Sequence, residues 1–255
     1  MLRTVPRIAW RLVWFAVSTL AVLISLEVRL MLAAPMQKRS VRDKHTGMWS
    51  RQVLRILGLR LHVHGDIPAS DRGQLVYSNH RAPLDIPVML AVFGGRVLGQ
   101  SAAAAWPLLG RASRIAGTIF VDRSSKASGT EAIQQIRSAL SERDRVVVFP
   151  EGTIHTTESL GPFRYGVFSA ASGLDVDLIP VGIAYGYAKN TDKDGLVRQA
   201  LRLAAVRHAD VIVAIGPAQQ ASAAVEAMTH EGHMAVQALV EVATLKLAES
   251  EQTNG

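Results

Sequence analysis

From Leu12 to Leu26 the chain runs fifteen residues without a charge, interrupted only by the small hydroxyls of Ser18, Thr19 and Ser25. As a helix this run is about 22 Å long, short of a hydrocarbon core of roughly 30 Å. Extending it from Ile8 to Ala34 gives a spanning length but includes Arg11, Glu27 and Arg29, which would have to snorkel. Arg3, Arg7 and Arg11 flank one end, and Lys38, Arg39, Arg42 and Lys44 follow the other. Trp10 and Trp14 stand where an interfacial belt places aromatics. Three readings fit: a helix that anchors in or lies on a membrane, a cleaved signal peptide, or a buried core helix. Against the signal peptide, Glu27 and Arg29 separate the apolar run from the small pair Ala33-Ala34.

Beyond about residue 55 the pattern changes. Short apolar runs at Leu59–His64, Gln74–Ser78, Thr118–Val121, Arg145–Phe149, Asp177–Ala184 and Asp210–Ile215 predict strands. Val146-Val147-Val148-Phe149 is too apolar for one-sided exposure and reads as a strand covered on both faces. Between the strands, Ile133, Ile136 and Leu140 recur at helical spacing within Gly129–Arg143. After the break at Gly216-Pro217 a long helix is predicted from about Ala221 to Ala248, with a polar, frayed tail at Glu249–Gly255. Strands alternating with helices predict an α/β fold with a mixed, largely parallel sheet flanked by helices. The division expected is an N-terminal hydrophobic, membrane-associating helical segment over 1–48 and one α/β domain over 49–255.

Composition narrows the chemistry. With no cysteine, the chain has no disulfide, thiolate metal site or cysteine nucleophile. Its 28 Lys+Arg against 21 Asp+Glu give a formal charge of +7, which suits an anionic partner. Aromatic residues are only 5% of the chain, which weakens base stacking, and the apolar, basic-flanked amino end favours a membrane as the partner.

The most informative stretch follows the strand at Leu75-Val76-Tyr77: Ser78-Asn79-His80-Arg81-Ala82-Pro83-Leu84-Asp85. Pro83 keeps a helix from running through the turn, and Asp85 stands where a helix would begin. A turn can fold the five-residue offset back so that the carboxylate meets one imidazole nitrogen. That contact would fix the tautomer and raise the basicity of the other nitrogen. His80 could then take a proton from a substrate hydroxyl, with no enzyme nucleophile needed. The alternative is that Asp85 is a helix cap and His80 an ordinary loop histidine.

Three more strands end in residues unsuited to a core: Gly117–Arg123, Phe149-Pro150-Glu151-Gly152-Thr153 with Pro162–Gly166 after it, and Leu178-Ile179-Pro180-Val181-Gly182. The four blocks N-H-x-x-x-x-D, G-x-x-F-x-x-R, F-P-E-G-T and a strand with an internal proline occur in order between about residues 50 and 190. In this the chain resembles the glycerolipid acyltransferase family, which includes 1-acylglycerol-3-phosphate acyltransferases. The resemblance implies that His80 is the general base and Asp85 its orienting partner. Asn79, Arg123, Glu151, Gly152, Thr153 and Arg164 would hold the substrates, with Arg123, Glu151 and Gly152 at the acceptor's polar head. The donor would be acyl-CoA or acyl carrier protein as co-substrate, with no further cofactor and no metal. The partners would be membrane lipids, and the location the cytoplasmic face of the inner or plasma membrane.

The pattern also departs from that family. Its arginine after F-P-E-G-T is Ile154 here, followed by His155, and Gln100–Ala105 lacks the lysine and glutamate often found before Trp106. Fewer cations weaken the case for a phosphomonoester acceptor and leave open an amino-acid lipid such as lyso-ornithine lipid. Arg81, Arg111, Arg114, Arg123 and Arg164 could compensate, and His155 could replace the missing arginine. A hydrolase reading lacks a G-x-S-x-G elbow; a non-catalytic lipid-binding relative would not require both His80 and Asp85. The pairs His62/His64 and His230/His233 have metal-pair spacing, but no third ligand accompanies either.

Overall fold

The computed structural model describes residues 4–154, 159–186, 205 and 207–253. Eight strands form one sheet: β1 Leu59–His64, β2 Gly73–Ser78, β3 Arg96–Gln100, β4 Ile119–Val121, β5 Arg145–Val148, β6 Val176–Tyr185, β7 Ala209–Ile215 and the short β8 Gln219–Gln220. The order is β1-β7-β6-β2-β5-β3-β4, with β8 beside β6. Pairing is parallel everywhere except β6 with β7 and β6 with β8. Strands β2 to β6 therefore share one direction, and their carboxyl ends lie on one side, where sites collect in open α/β sheets.

The period-two alternation of β2 and β5 explains how both faces are buried. Leu75, Tyr77, Val146 and Val148 enter one core with Ile136, Phe168 and Val236. Val76 and Val147 enter the other with Val88, Met89, Ile179 and Val213. The first core is covered by α5 Lys126–Ser141, α6 Tyr165–Ala171 and α7 Val225–Thr253. Over the second lie α2 Lys38–Leu57 and α3 Asp85–Phe93. Each fully buried aliphatic side chain contributes about 1.5–3 kcal/mol.

Several boundaries differ from expectation. β3 and the helix α4 Pro107–Ile115 were not anticipated; the Arg and Gly in Arg96-Val97-Leu98-Gly99-Gln100 mask its apolar alternation. The last helix begins at Val225 rather than Ala221, because Gln219–Gln220 pairs with β6 first. It continues to Thr253, with a Lys246–Glu249 ion pair of 2.9 Å one turn apart, so the described part of the tail is helical.

α1 spans Thr4–Leu32 and packs on α2. Val5–Leu32 is long and apolar enough to cross a membrane, yet only 22% of its most apolar window is buried, which contradicts a core helix. Val13, Val17, Leu20, Ile24, Val28 and Met31 form an exposed stripe at helical spacing. The inner face mixes buried Leu23 and Leu26 with polar groups. Trp49 Nε1 donates to Thr19 Oγ1 at 3.0 Å, and Ser25 Oγ meets His45 Nε2 at 3.2 Å. Arg7 and Arg11 donate to the carbonyls of Ala205 and Arg207, fastening the start of α1 near the amino end of β7.

Candidate active site

β2 ends at Ser78, and the next side chain replaces a backbone ladder. Asn79 Oδ1 accepts from Ile183 N–H at 2.8 Å, and its Nδ2 donates to Ile183 C=O at 3.0 Å. The main chain is thereby released to turn. His80 N–H donates to Glu151 Oε1 at 2.7 Å, and Gly161 N–H donates to Glu151 Oε2 at 2.8 Å. Buried Glu151 thus ties the His80 turn to the loop after β5.

Asp85 opens α3 and turns its carboxylate back over the turn. Oδ2 accepts from His80 Nδ1 at 2.8 Å, from Arg81 N–H at 2.6 Å and from Ala82 N–H at 2.9 Å. Oδ1 accepts from Tyr185 Oη at 2.6 Å. The helix N-terminus adds favourable dipole to a negative charge at this position. Asp85 is not the helix cap, a position held by Leu84; its carboxylate satisfies N–H groups of the turn ahead of the helix and engages the imidazole. With Asp85 ionised, Nδ1 carries the ring hydrogen and Nε2 keeps its lone pair. The ring stacks on Phe149, with centroids 4.3 Å apart and planes at 15°.

His80 lines a cavity of about 1200 Å³ whose walls are mainly apolar. On one side stand Leu12, Phe15, Trp49, Val53 and Leu57; on the other, Ile133, Ile136 and Val167. Polar groups enter from the loops after β4 and β5: Arg123, Lys126, Thr153 and Arg164. Burial first, and then the neighbouring Arg164 guanidinium, hold Arg123 below the usual arginine range. Among the described residues neither guanidinium has a carboxylate partner, so two adjacent cations face a low-dielectric space that an anion would neutralise. Gly152 has φ +73°, and a Cβ there would stand 2.6 Å from Arg164 Nε, so the missing side chain admits the arginine.

The structure brings His80, Arg123, Gly152, Thr153 and Arg164 onto one cavity. Asn79, Asp85 and Glu151 stand behind it, holding the His80 turn. Ile154 also lines the cavity, whereas His155 lies outside the described residues, as do Arg202 and Asp192–Asp194. Of the residues proposed to compensate, Arg111 pairs with Glu27 at 2.9 Å and Arg114 donates to the Ala104 carbonyl, so both are engaged elsewhere. His62 is bound to Asp210 at 2.8 Å and His233 packs edge-on to Phe163. Tyr185, a hundred positions from Asp85, carried no local sequence signal.

A family model described as Acyltransferase matches residues 60–184, the stretch from β1 to the end of β6 that builds this site. Residues 60–184 thus carry an acyltransferase-family domain of the kind found in glycerolipid acyltransferases. It is 31% identical over 137 residues to a lyso-ornithine lipid O-acyltransferase of Rhizobium meliloti, covering 54% of this chain and 46% of that protein. It is 30% identical over 135 residues to a 1-acyl-sn-glycerol-3-phosphate acyltransferase of Neisseria meningitidis, covering 53% of each. The chain thus spans about half the length of these curated relatives. The crystal structure of the 1-acyl-sn-glycerophosphate acyltransferase PlsC from Thermotoga maritima superposes with a TM-score of 0.70 over 98% of this chain and 97% of that one, at 18% identity. That likeness shows the fold.

Proposed function

We propose that this chain is an acyltransferase that moves a fatty acyl group from acyl-CoA or acyl carrier protein to the free hydroxyl of a lyso-lipid in phospholipid biosynthesis. The observation that carries this reading is the 2.8 Å His80–Asp85 contact at the wall of a large apolar cavity. His80 Nε2 takes the hydroxyl proton as the alcohol oxygen bonds to the thioester carbonyl carbon. Asp85 stabilises the imidazolium that forms, the carbon–sulfur bond breaks, and the proton passes to the departing thiolate. Substrate oxygen is the nucleophile throughout. Thr153, Arg123 and Arg164 hold the acceptor's anionic head, and the apolar walls receive acyl chain.

Two acceptors remain in view, 1-acylglycerol-3-phosphate and lyso-ornithine lipid. Ile154 in the cavity favours the second, since an apolar side chain offers a phosphomonoester no donor. Membrane lipids reach the site from the bilayer on which the exposed stripe of α1 rests. The membrane-associating segment 1–48 continues without a break, through α2, into the acyltransferase domain 49–255. Because thioester donors are intracellular, the protein works at the cytoplasmic face of the inner or plasma membrane. The test is incubation of purified protein with labelled acyl-CoA or acyl carrier protein and a panel of lyso-lipids. Labelled diacyl product from at least one lyso-lipid is expected; none from any pair would overturn the reading.

A further inference from the structure

We infer that Tyr185 is a positioning residue of this site, holding the Asp85 carboxylate in the orientation that fixes the His80 ring. The inference rests on the acyl-transfer reading for its kinetic consequences but not for its structural ones. The Asp85 carboxylate is wholly buried, and its oxygens divide the work. Oδ2 is occupied by three N–H donors, two of them from the main chain of its own turn. Among the described residues the donor on Oδ1 is the Tyr185 hydroxyl, at 2.6 Å. A short O–H···O⁻ bond of this kind is charge-assisted and directional. Without it a buried carboxylate oxygen would have no donor, and the group could rotate about its Cβ–Cγ bond away from the ring.

The sheet makes Tyr185 a rigid donor. It is the last residue of β6, in antiparallel register with Val211 of β7, and its ring packs against the apolar core beneath α3. Two residues earlier on the same strand, Ile183 is gripped by both ends of the Asn79 amide. One strand therefore fixes the turn on either side of His80: through Asn79 before it and through Asp85 after it. A hydroxyl adds no charge, so Asp85 keeps its full attraction for a protonated ring while its rotation is blocked. The other ionisable groups facing the cavity are Arg11 of α1, Asp122, Arg123 and Lys126 after β4, and Arg164 before α6. Glu151 addresses the His80 main chain rather than the ring.

The test uses the full chain in detergent micelles, labelled with ¹⁵N-histidine, with His80 assigned by difference against His80→Ala. Tyr185→Phe keeps the ring and removes only the hydroxyl. With Oδ1 left without its donor the carboxylate is free to turn, so the Nδ1–H···Oδ2 contact should loosen. The Nδ1–H resonance should move as well. In the acyl-transfer assay kcat should fall about tenfold with KM little changed. In an Asp85→Asn background, Tyr185→Phe should add no further loss. A Tyr185→Phe protein whose His80 spectrum matches the parent overturns the inference, whether or not turnover is seen. Equal losses in both backgrounds also overturn it, since Tyr185 would then act independently of Asp85. Absence of transfer by the parent, with the spectral shift present, refutes the function and leaves the positioning role standing.

Discussion

Replacing Glu151 by glutamine separates two roles for a buried carboxylate that the sequence places in a substrate-binding motif. In the structure its oxygens accept from His80 N–H at 2.7 Å and Gly161 N–H at 2.8 Å. Glutamine can offer its carbonyl to only one of them, and its amide then points a donor at the other. A hydrogen bond to a charged group contributes about 1.5–3 kcal/mol, so one bond lost and one weakened should cost roughly 2–4 kcal/mol. Against a typical total stability of about 5–15 kcal/mol the protein stays folded. The unfolding midpoint should fall by roughly 5–10 °C for a chain of this size. Thermal unfolding monitored by circular dichroism in micelles measures that shift. Loosening the His80 turn should lower kcat, while KM for the lyso-lipid stays within about twofold because Glu151 does not line the cavity. An unchanged midpoint together with a several-fold rise in KM would mean that Glu151 contacts the acceptor, and the positioning account of it would fail.

Gly152→Ala places a Cβ against Arg164 at a φ that alanine tolerates poorly, costing about 1–2 kcal/mol; KM for anionic lyso-lipids should rise, and an unchanged KM would dissociate Arg164 from the head group. Arg123→Ala should raise KM by roughly tenfold or more, and should weaken the dependence of KM on salt; equal binding of neutral and anionic acceptors by the parent would contradict the anion site. Asp144 is buried and ion-paired with Arg39, Arg42 and Arg96 at 2.6, 3.2 and 2.6 Å. Asp144→Ala removes their shared buried partner, although Arg39 and Arg42 keep Asp43 within reach, so chemical denaturation should show a loss of about 1–3 kcal/mol with kcat of the surviving fold unaffected. The paired change of Leu20 and Ile24 to serine should reduce co-flotation with anionic vesicles, since both belong to the exposed face of α1; undiminished flotation would move the membrane contact elsewhere.

How much of this was legible in the chain depends on whether the deciding interaction is local. The buried strands announce themselves because Val146-Val147-Val148 is apolar at both phases of a two-residue period, which only a doubly covered strand requires. The His80–Asp85 contact is also local: five residues, a proline and a helix start suffice to suggest it. β3 was hidden because Arg96 and Gly99 interrupt its pattern, and the sheet supplies the pairing that its own composition does not. Glu151 looks like a ligand to substrate in sequence, since nothing there reveals that two main-chain N–H groups converge on it. Tyr185 was invisible for a related reason: its partner lies across the sheet, reached through the β2–β6 register rather than through spacing. The outward face of α1 was one of three open readings, because an apolar helix has the same composition whether it meets a core or a bilayer.

The most direct measurement is the rate of acyl transfer by His80→Ala, from labelled acyl-CoA or acyl carrier protein to the lyso-lipid that the parent prefers. A general base contributes roughly 10²–10⁴-fold, so turnover should fall by at least a hundredfold, with the circular dichroism spectrum and unfolding midpoint close to those of the parent. Transfer within tenfold of the parent by a correctly folded variant would show that another group removes the proton, and the account built on the imidazole would be wrong.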